Sequence, residues 1–130
     1  MIKRRPLAPS FAQLPAAPPR IVFIDSPEAA RLACARLREH RLLAVDMEGA
    51  PLGQLTTLIQ FAPAGGGSDA VYVFDVLALG QTLFDAAHLL PILSDPNVLK
   101  LCYDCRGDAA ALFFQHGVQV HGLYDLQVSV

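Results

Sequence analysis

Apolar and polar positions divide the chain into a patternless start and a body with two alternating periods. Residues 1–20 carry Pro6, Pro9, Pro15, Pro18 and Pro19 and no apolar alternation, which predicts a disordered Pro/Arg-rich tail. From Ile21 the pattern changes. Ile21-Val22-Phe23-Ile24-Asp25 is a short apolar run ending at Ser26-Pro27-Glu28, where Ser26 suits a helix N-cap and Pro27 the first helical position. Behind it Ala30, Ala33, Cys34 and Leu37 recur at helical spacing while Arg31, Arg38 and Glu39 fall elsewhere on the wheel, predicting a helix to about His40.

Strand-like segments follow at Leu42 to Glu48, Thr56 to Ala62 and Ala70 to Val76, parted by a turn at 49–53 and a glycine-rich loop at 65–69. Such spacing predicts an antiparallel meander. A short helical piece around Ala87 to Ser94 leads to a buried strand, Val98 to Tyr103, then to a helix from Gly107 to His116 with Gly117 as its stop. The last strand-like stretch is Leu123 to Val130. A meander followed by strands alternating with helices implies a mixed α/β sheet.

Composition adds bounds to this picture. With 130 residues, 53% of them hydrophobic, the chain is one domain at most and has enough apolar side chains for a core. No apolar run approaches the ~18 residues a membrane span needs. The net charge of -2 is unevenly spread: residues 1–20 hold four of the ten Lys and Arg residues and none of the twelve acids. The body is therefore acidic. That argues against a protein that binds nucleic acid merely by coating phosphates with cations, and leaves room for a site that collects divalent metal. Three cysteines, Cys34, Cys102 and Cys105, form no disulfide framework and suit a reducing, intracellular compartment. The N-terminal stretch lacks the apolar region of a secretory signal, and its arginines faintly suggest a transit peptide, but the prolines fit a tail better.

Two acidic segments are the candidates for chemistry. In a strand, Asp46 and Glu48 project from the same face, whereas in a helix they would diverge by about 200°. Two carboxylates at the end of a buried strand repel each other unless a cation lies between them. Taken by spacing alone, Asp-x-Glu fits a solvated surface pair as well as a metal site. The second segment, Cys102-Tyr103-Asp104-Cys105-Arg106-Gly107-Asp108, lies at a strand-to-helix junction. There one of the two aspartates is expected to cap the helix, with Arg106 as a salt-bridge partner. Cys102-x-x-Cys105 also has the spacing of a thiol redox pair, or of half a zinc site with His116 and His121, although Cys102 falls in an apolar strand where packing is the ordinary role. His40 and His88 show no partner along the sequence, and Gly65 to Gly67 lacks the Lys-Ser/Thr of a phosphate loop.

Taken in order, Leu42-Leu-Ala-Val-Asp46-Met-Glu48-Gly, Leu55-Thr-Thr-Leu-Ile-Gln60-Phe, Val71-Tyr-Val-Phe-Asp75, Leu99-Lys-Leu-Cys-Tyr-Asp104-Cys-Arg-Gly-Asp108 and Tyr124-Asp125-Leu-Gln127 resemble the RNase D-like 3'-5' exonuclease domain of the DEDD superfamily. The resemblance covers residues 21–130 and implies a ribonuclease H-like fold. It implies that Asp46 and Glu48 are first-motif metal ligands, Asp46 bridging two ions, and that Asp108 is the second-motif acid, with Asp104 the weaker candidate. The cofactor implied is Mg2+ or Mn2+, two ions about 4 Å apart that activate water and stabilise the leaving oxygen. The partner implied is a single-stranded 3' end of RNA or DNA. Tyr124 to Gln127 is similar to the family's Phe-Asp-Thr-Gln segment, which supports the architecture without ligating metal, and Tyr103 stands where many relatives have His. The fourth acid, on a last helix, is expected beyond Val130, so residues 21–130 are read as a partial domain with its last helices missing. A second reading of the same resemblance is a non-catalytic adaptor for nucleic acid or protein that keeps the exonuclease fold.

Overall fold

A computed structural model describes residues 17–49, 55–64 and 69–128. The expected tail lies mostly outside these residues, as do most of the 49–53 turn and the 65–69 loop. Strand β1 spans Arg20–Ile24 and leads into helix α1, Pro27–Leu37. The Ser26 hydroxyl accepts from Ala29 N–H at 3.3 Å and Pro27 occupies the first turn, as the local residues predict. α1 stops at Leu37 rather than at His40. Glu39 and His40 turn their N–H groups to the carbonyls three residues back, which winds the chain out of the helix.

The meander follows as β2 (Leu42–Gly49), β3 (Thr56–Pro63) and β4 (Ala70–Asp75). Asp75 then caps a short helix α2, Val76–Leu79, its carboxylate accepting from Ala78 N–H at 3.0 Å, and a 3₁₀ turn continues through Gly80–Phe84. Local pattern had extended the strand into Val76 and left this turn out. After α3 (Leu90–Leu93) come β5 (Leu99–Cys102), α4 (Arg106–His116) and β6 (Leu123–Asp125). Gly117 ends α4 with φ of 68°, a left-handed stop. His88, unpartnered along the sequence, meets Asp85 at 2.7 Å.

The strands form one six-stranded mixed sheet in the order β1-β4-β3-β2-β5-β6, antiparallel in the β2-β3-β4 meander and parallel elsewhere. α1, the α2–α3 segment and α4 each connect parallel strands and each steps in the same direction along that order. Right-handed crossovers that step the same way place their helices on the same face. The burial agrees: Ile24, Leu43, Ile59, Phe61 and Phe74 on one side of the sheet form a core with Ala30, Cys34, Leu37, Leu93 and Leu112 of the helices. Phe61 and Phe74 meet edge to face at 5.9 Å. No described helix covers the other face, where Ile21 and Phe23 are exposed.

Lys100 of β5 is fully buried on the helix side, and its ammonium donates to the Ile92 and Asp95 carbonyls at 2.8 Å each. Burial pulls its pKa down to about 8, against the opposing pull of the Asp95 charge. It fastens the end of α3 to the sheet.

Candidate functional site

In β2 the side chains alternate between Leu43, Val45 and Met47 toward the helices and Ala44, Asp46 and Glu48 toward the open face. Asp46 and Glu48 therefore share a face, as their spacing predicts, with Gln60 and Leu58 opposite them on β3. Both acids are exposed to solvent. Desolvation, expected of a pair at the end of a buried strand, does not apply to these two exposed acids; the desolvated acid is Asp108. A register shift between Glu48 and Gly49 forms an irregularity at the end of the strand, a common device for aiming side chains beside a site. Thr57 secures the Glu48 carbonyl with a 3.1 Å hydrogen bond.

Asp108 lies in the first turn of α4, a turn built by a residue outside both acidic segments. The Asp125 carboxylate accepts from Asp104 N–H at 2.9 Å, Cys105 N–H at 3.1 Å and Gln127 N–H at 3.0 Å. Desolvation pushes the Asp125 pKa up, but these hydrogen bonds and the charge of Arg106 outweigh it, and the group titrates below the usual range. Neither Asp104 nor Asp108 makes the expected cap: the N-cap position is Cys105, which makes no side-chain capping bond. Arg106 likewise acts on Asp125. Asp104 takes a left-handed backbone conformation with φ of 51°. At the other end of α4, the Gln115 amide oxygen accepts from Thr56 N–H at 2.9 Å and the Thr56 hydroxyl at 3.2 Å, fixing the helix to β3.

Burial is the largest influence on Asp108, and the negative charges of Asp46, Glu48 and Asp104 add to it, pushing its pKa up to about 6. Acids from β2 and the β5–α4 junction thus act on Asp108 of α4, the two in β2 from far away in the sequence. Such a set of hard oxygen donors fits a divalent cation, which relieves their repulsion. Beside it the Gln60 side-chain oxygen is buried with no hydrogen-bond partner. Among the described residues, no three His, Cys, Asp or Glu side chains converge on a common metal position. Cys102, expected to be a free packing residue, is joined to Cys105 in a disulfide, while Cys34 is free and buried, with burial pushing its pKa to about 12.

Two expected results follow from this geometry. The folded pKa of Asp108 lies above its ordinary value of 3.8, so the native state holds the extra proton between the two and this site loses stability as pH rises from about 4 to 6. Asp108→Asn should then stabilise the metal-free protein at pH 8 by on the order of 1 kcal/mol, a figure already reduced for solvent screening. The gain should shrink toward pH 4 in denaturant unfolding with a chelator present; an unchanged gain across that range would refute the assignment. Asp125→Ala removes the acceptor of two N–H groups at the start of α4 and of a third, on Gln127, and Mn2+ affinity should fall about 10- to 100-fold although Asp125 is not one of the ligands that the resemblance implies. Calorimetric titration measures it.

Residues 21–130 match the 3'-5' exonuclease family. RNase D of Trypanosoma brucei superposes with a TM-score of 0.76 at 32% identity, over 84% of this chain and 38% of that one, and its structure in complex with RNA U12 matches equally. The fold is thereby the ribonuclease H-like one that the resemblance implies. The exonuclease domain of EXD2, soaked in Mg and GMP, superposes with a TM-score of 0.66 at 24% identity, over 84% of this chain and 57% of that one, a likeness of fold. The piRNA biogenesis protein EXD1 of Mus musculus is 31% identical over 97 residues, which is 75% of this chain and 16% of that protein. The chain therefore spans only a minor part of its curated relatives. Among the described residues no helix is long and apolar enough to cross a membrane.

Proposed function

This chain belongs to the 3'-5' exonuclease family, and we propose from that premise that it supplies the acidic face of a nuclease that trims single-stranded 3' ends with Mg2+ or Mn2+. RNA is the favoured substrate class, on the strength of the RNA complex of the 32% identical RNase D. The observation that carries the proposal is the match of residues 21–130 to that family, with Asp46 and Glu48 side by side on one face of β2.

In this reading Asp46, Glu48 and Asp108 are the carboxylates that hold the cation. When bound, the cation supplies positive charge against the phosphate oxygens and makes water a better nucleophile. The protein's own residues prepare the site. β2 presents Asp46 and Glu48 on an open face where a strand end can approach, Asp125 fixes the turn that carries Asp108, and Gln115 sets the far end of α4. Asp108, its pKa raised by burial and by the neighbouring acids, must lose its proton to serve as a ligand, so Mn2+ affinity should weaken as pH falls below about 6.

The test uses 5'-labelled single-stranded RNA and DNA of equal length with Mn2+ and, separately, with a chelator. A ladder shortening one nucleotide at a time from the 3' end, present with Mn2+ and stronger on RNA, is the expected result. Internal cuts, or a ladder that survives the chelator, would contradict it.

A further inference from the structure

The end of α4 meets the 3₁₀ turn Gly80–Phe84 through a histidine that the proposed function does not use. The His116 ring stacks on buried Phe84, with centroids 3.9 Å apart and planes 20° from parallel. Gln81 closes the contact from the side: its amide nitrogen donates to the His116 carbonyl at 3.0 Å, and its amide oxygen stands 3.1 Å from His116 Nδ1. A carbonyl only accepts, so the amide NH2 must face it, which turns the Gln81 oxygen toward Nδ1 and places the ring proton there. The neutral tautomer is thereby fixed. Its other nitrogen, Nε2, is buried with no hydrogen-bond partner.

Acid puts a second proton on Nε2, where an N–H bearing positive charge is shut off from solvent and has no acceptor. No anion compensates it. Residues 80–84 and 112–118, on the two sides of the contact, contain no Asp, Glu, Lys or Arg. Asp85, next to Phe84, is held by His88 at 2.7 Å, and His121, the next histidine along the chain, is anchored through its backbone N–H to the Leu93 carbonyl. Attraction between the cation and the Phe84 face offsets part of the cost, but burial prevails and holds the His116 pKa below its ordinary value of 6.5. The helix itself is fastened elsewhere, by Gln115 to Thr56 and by Val118 N–H to the Leu112 carbonyl.

We infer that His116 is an acid-sensitive latch between α4 and the 3₁₀ turn: the neutral ring is seated by Gln81 and Phe84, and the protonated ring leaves that seat for solvent, uncovering Phe84 and loosening the turn while α4 stays in place. The latch does not depend on the metal chemistry proposed above. A histidine whose folded pKa is lowered contributes its full stability above pH 6.5 and loses it as pH falls through the folded value.

The test follows the metal-free full chain at pH 7.5 and pH 5.0 by hydrogen exchange, corrected for the intrinsic effect of pH on the rate, with the His116 ring titrated in parallel by NMR. Peptides covering residues 80–85 should lose protection at least about fivefold at the lower pH, while those from β3 and β4 keep theirs. The ring should titrate below 6.5, and the loss of protection should follow the same midpoint. His116→Phe keeps an aromatic ring on Phe84 and takes no proton, so its protection at 80–85 should be equal at the two pH values. Asp108 gains its own proton as pH falls, with the opposite effect on stability, and the variant retains it, so the comparison isolates His116. Unchanged wild-type protection at pH 5.0, an equal loss in His116→Phe, or a loss shared by β3 and β4 overturns the latch. A His116 midpoint at or above 6.5 in the wild-type protein overturns it as well, whether or not the variant folds.

Discussion

Replacing Asp46 with alanine is expected to lower Mn2+-supported release of 3' nucleotides by about a thousandfold or more, while leaving the fold intact. Under the proposed function Asp46 is a ligand that acts only through the bound cation, and losses of that order are usual when one member of an interdependent catalytic set is deleted. The fold should survive because Asp46 is exposed on the uncovered face and no core contact depends on it. Unfolding in chelator should therefore stay at the wild-type midpoint or rise slightly, since one of the charges pressing on Asp108 has gone. The measurement is the rate of ladder formation beside a thermal melt. An Asp46→Ala protein that trims RNA at the wild-type rate would remove Asp46 from the site.

The second large effect is on stability. Gly122, just before β6, has φ of 68°, and a side chain's first carbon there would stand 2.6 Å from the Val98 carbonyl oxygen and 3.2 Å from that of Pro96. Both obstacles are backbone, and neither can swing aside as a side chain would. The same residue uses its own carbonyl to accept from Lys100 N–H at 2.8 Å, which pairs β6 with β5. Gly122→Ala combines left-handed strain with a steric clash at a point fixed by the sheet, and about 3 kcal/mol of stability should be lost in denaturant unfolding. Because β6 carries Asp125, Mn2+ binding should weaken in parallel. A loss below about 0.5 kcal/mol, the size of an ordinary surface substitution, would mean that the β5–β6 junction is not built as described.

What the sequence disclosed and what it withheld follow a physical division. α1 was legible because its cap, its proline and its apolar stripe all lie within a dozen adjacent residues. β2 was legible because strand alternation alone places Asp46 and Glu48 on a shared face. The exposure of that face was not, because it depends on the order of strands in the sheet and on every crossover stepping the same way. Asp125 was identified only as part of a family-like segment. Its grip on Asp104 and Cys105 crosses about twenty residues of chain, and no local pattern encodes it. The capping expectation at α4 failed on a shift of position: an aspartate beside a helix start is the natural local candidate, but the N-cap falls on Cys105, between Asp104 and Asp108.

Cys102 and Cys105 illustrate a further limit. Their spacing was visible as a pair, but whether the sulfurs meet depends on the turn between β5 and α4. Asp108 shows the converse case. The resemblance nominated it together with Asp46 and Glu48, and its half-buried position, which raises its pKa first by burial and then by their charges, is what the fold adds.

The most direct test of the acidic cluster as a metal site is a Mn2+ titration followed by electron paramagnetic resonance, comparing the reduced wild-type protein with an Asp46→Ala/Glu48→Ala double variant at pH 7.5. The expected result is saturable loss of the free Mn2+ signal with wild type and none above background with the double variant. Equal binding by both proteins, or binding by neither, would contradict the assignment.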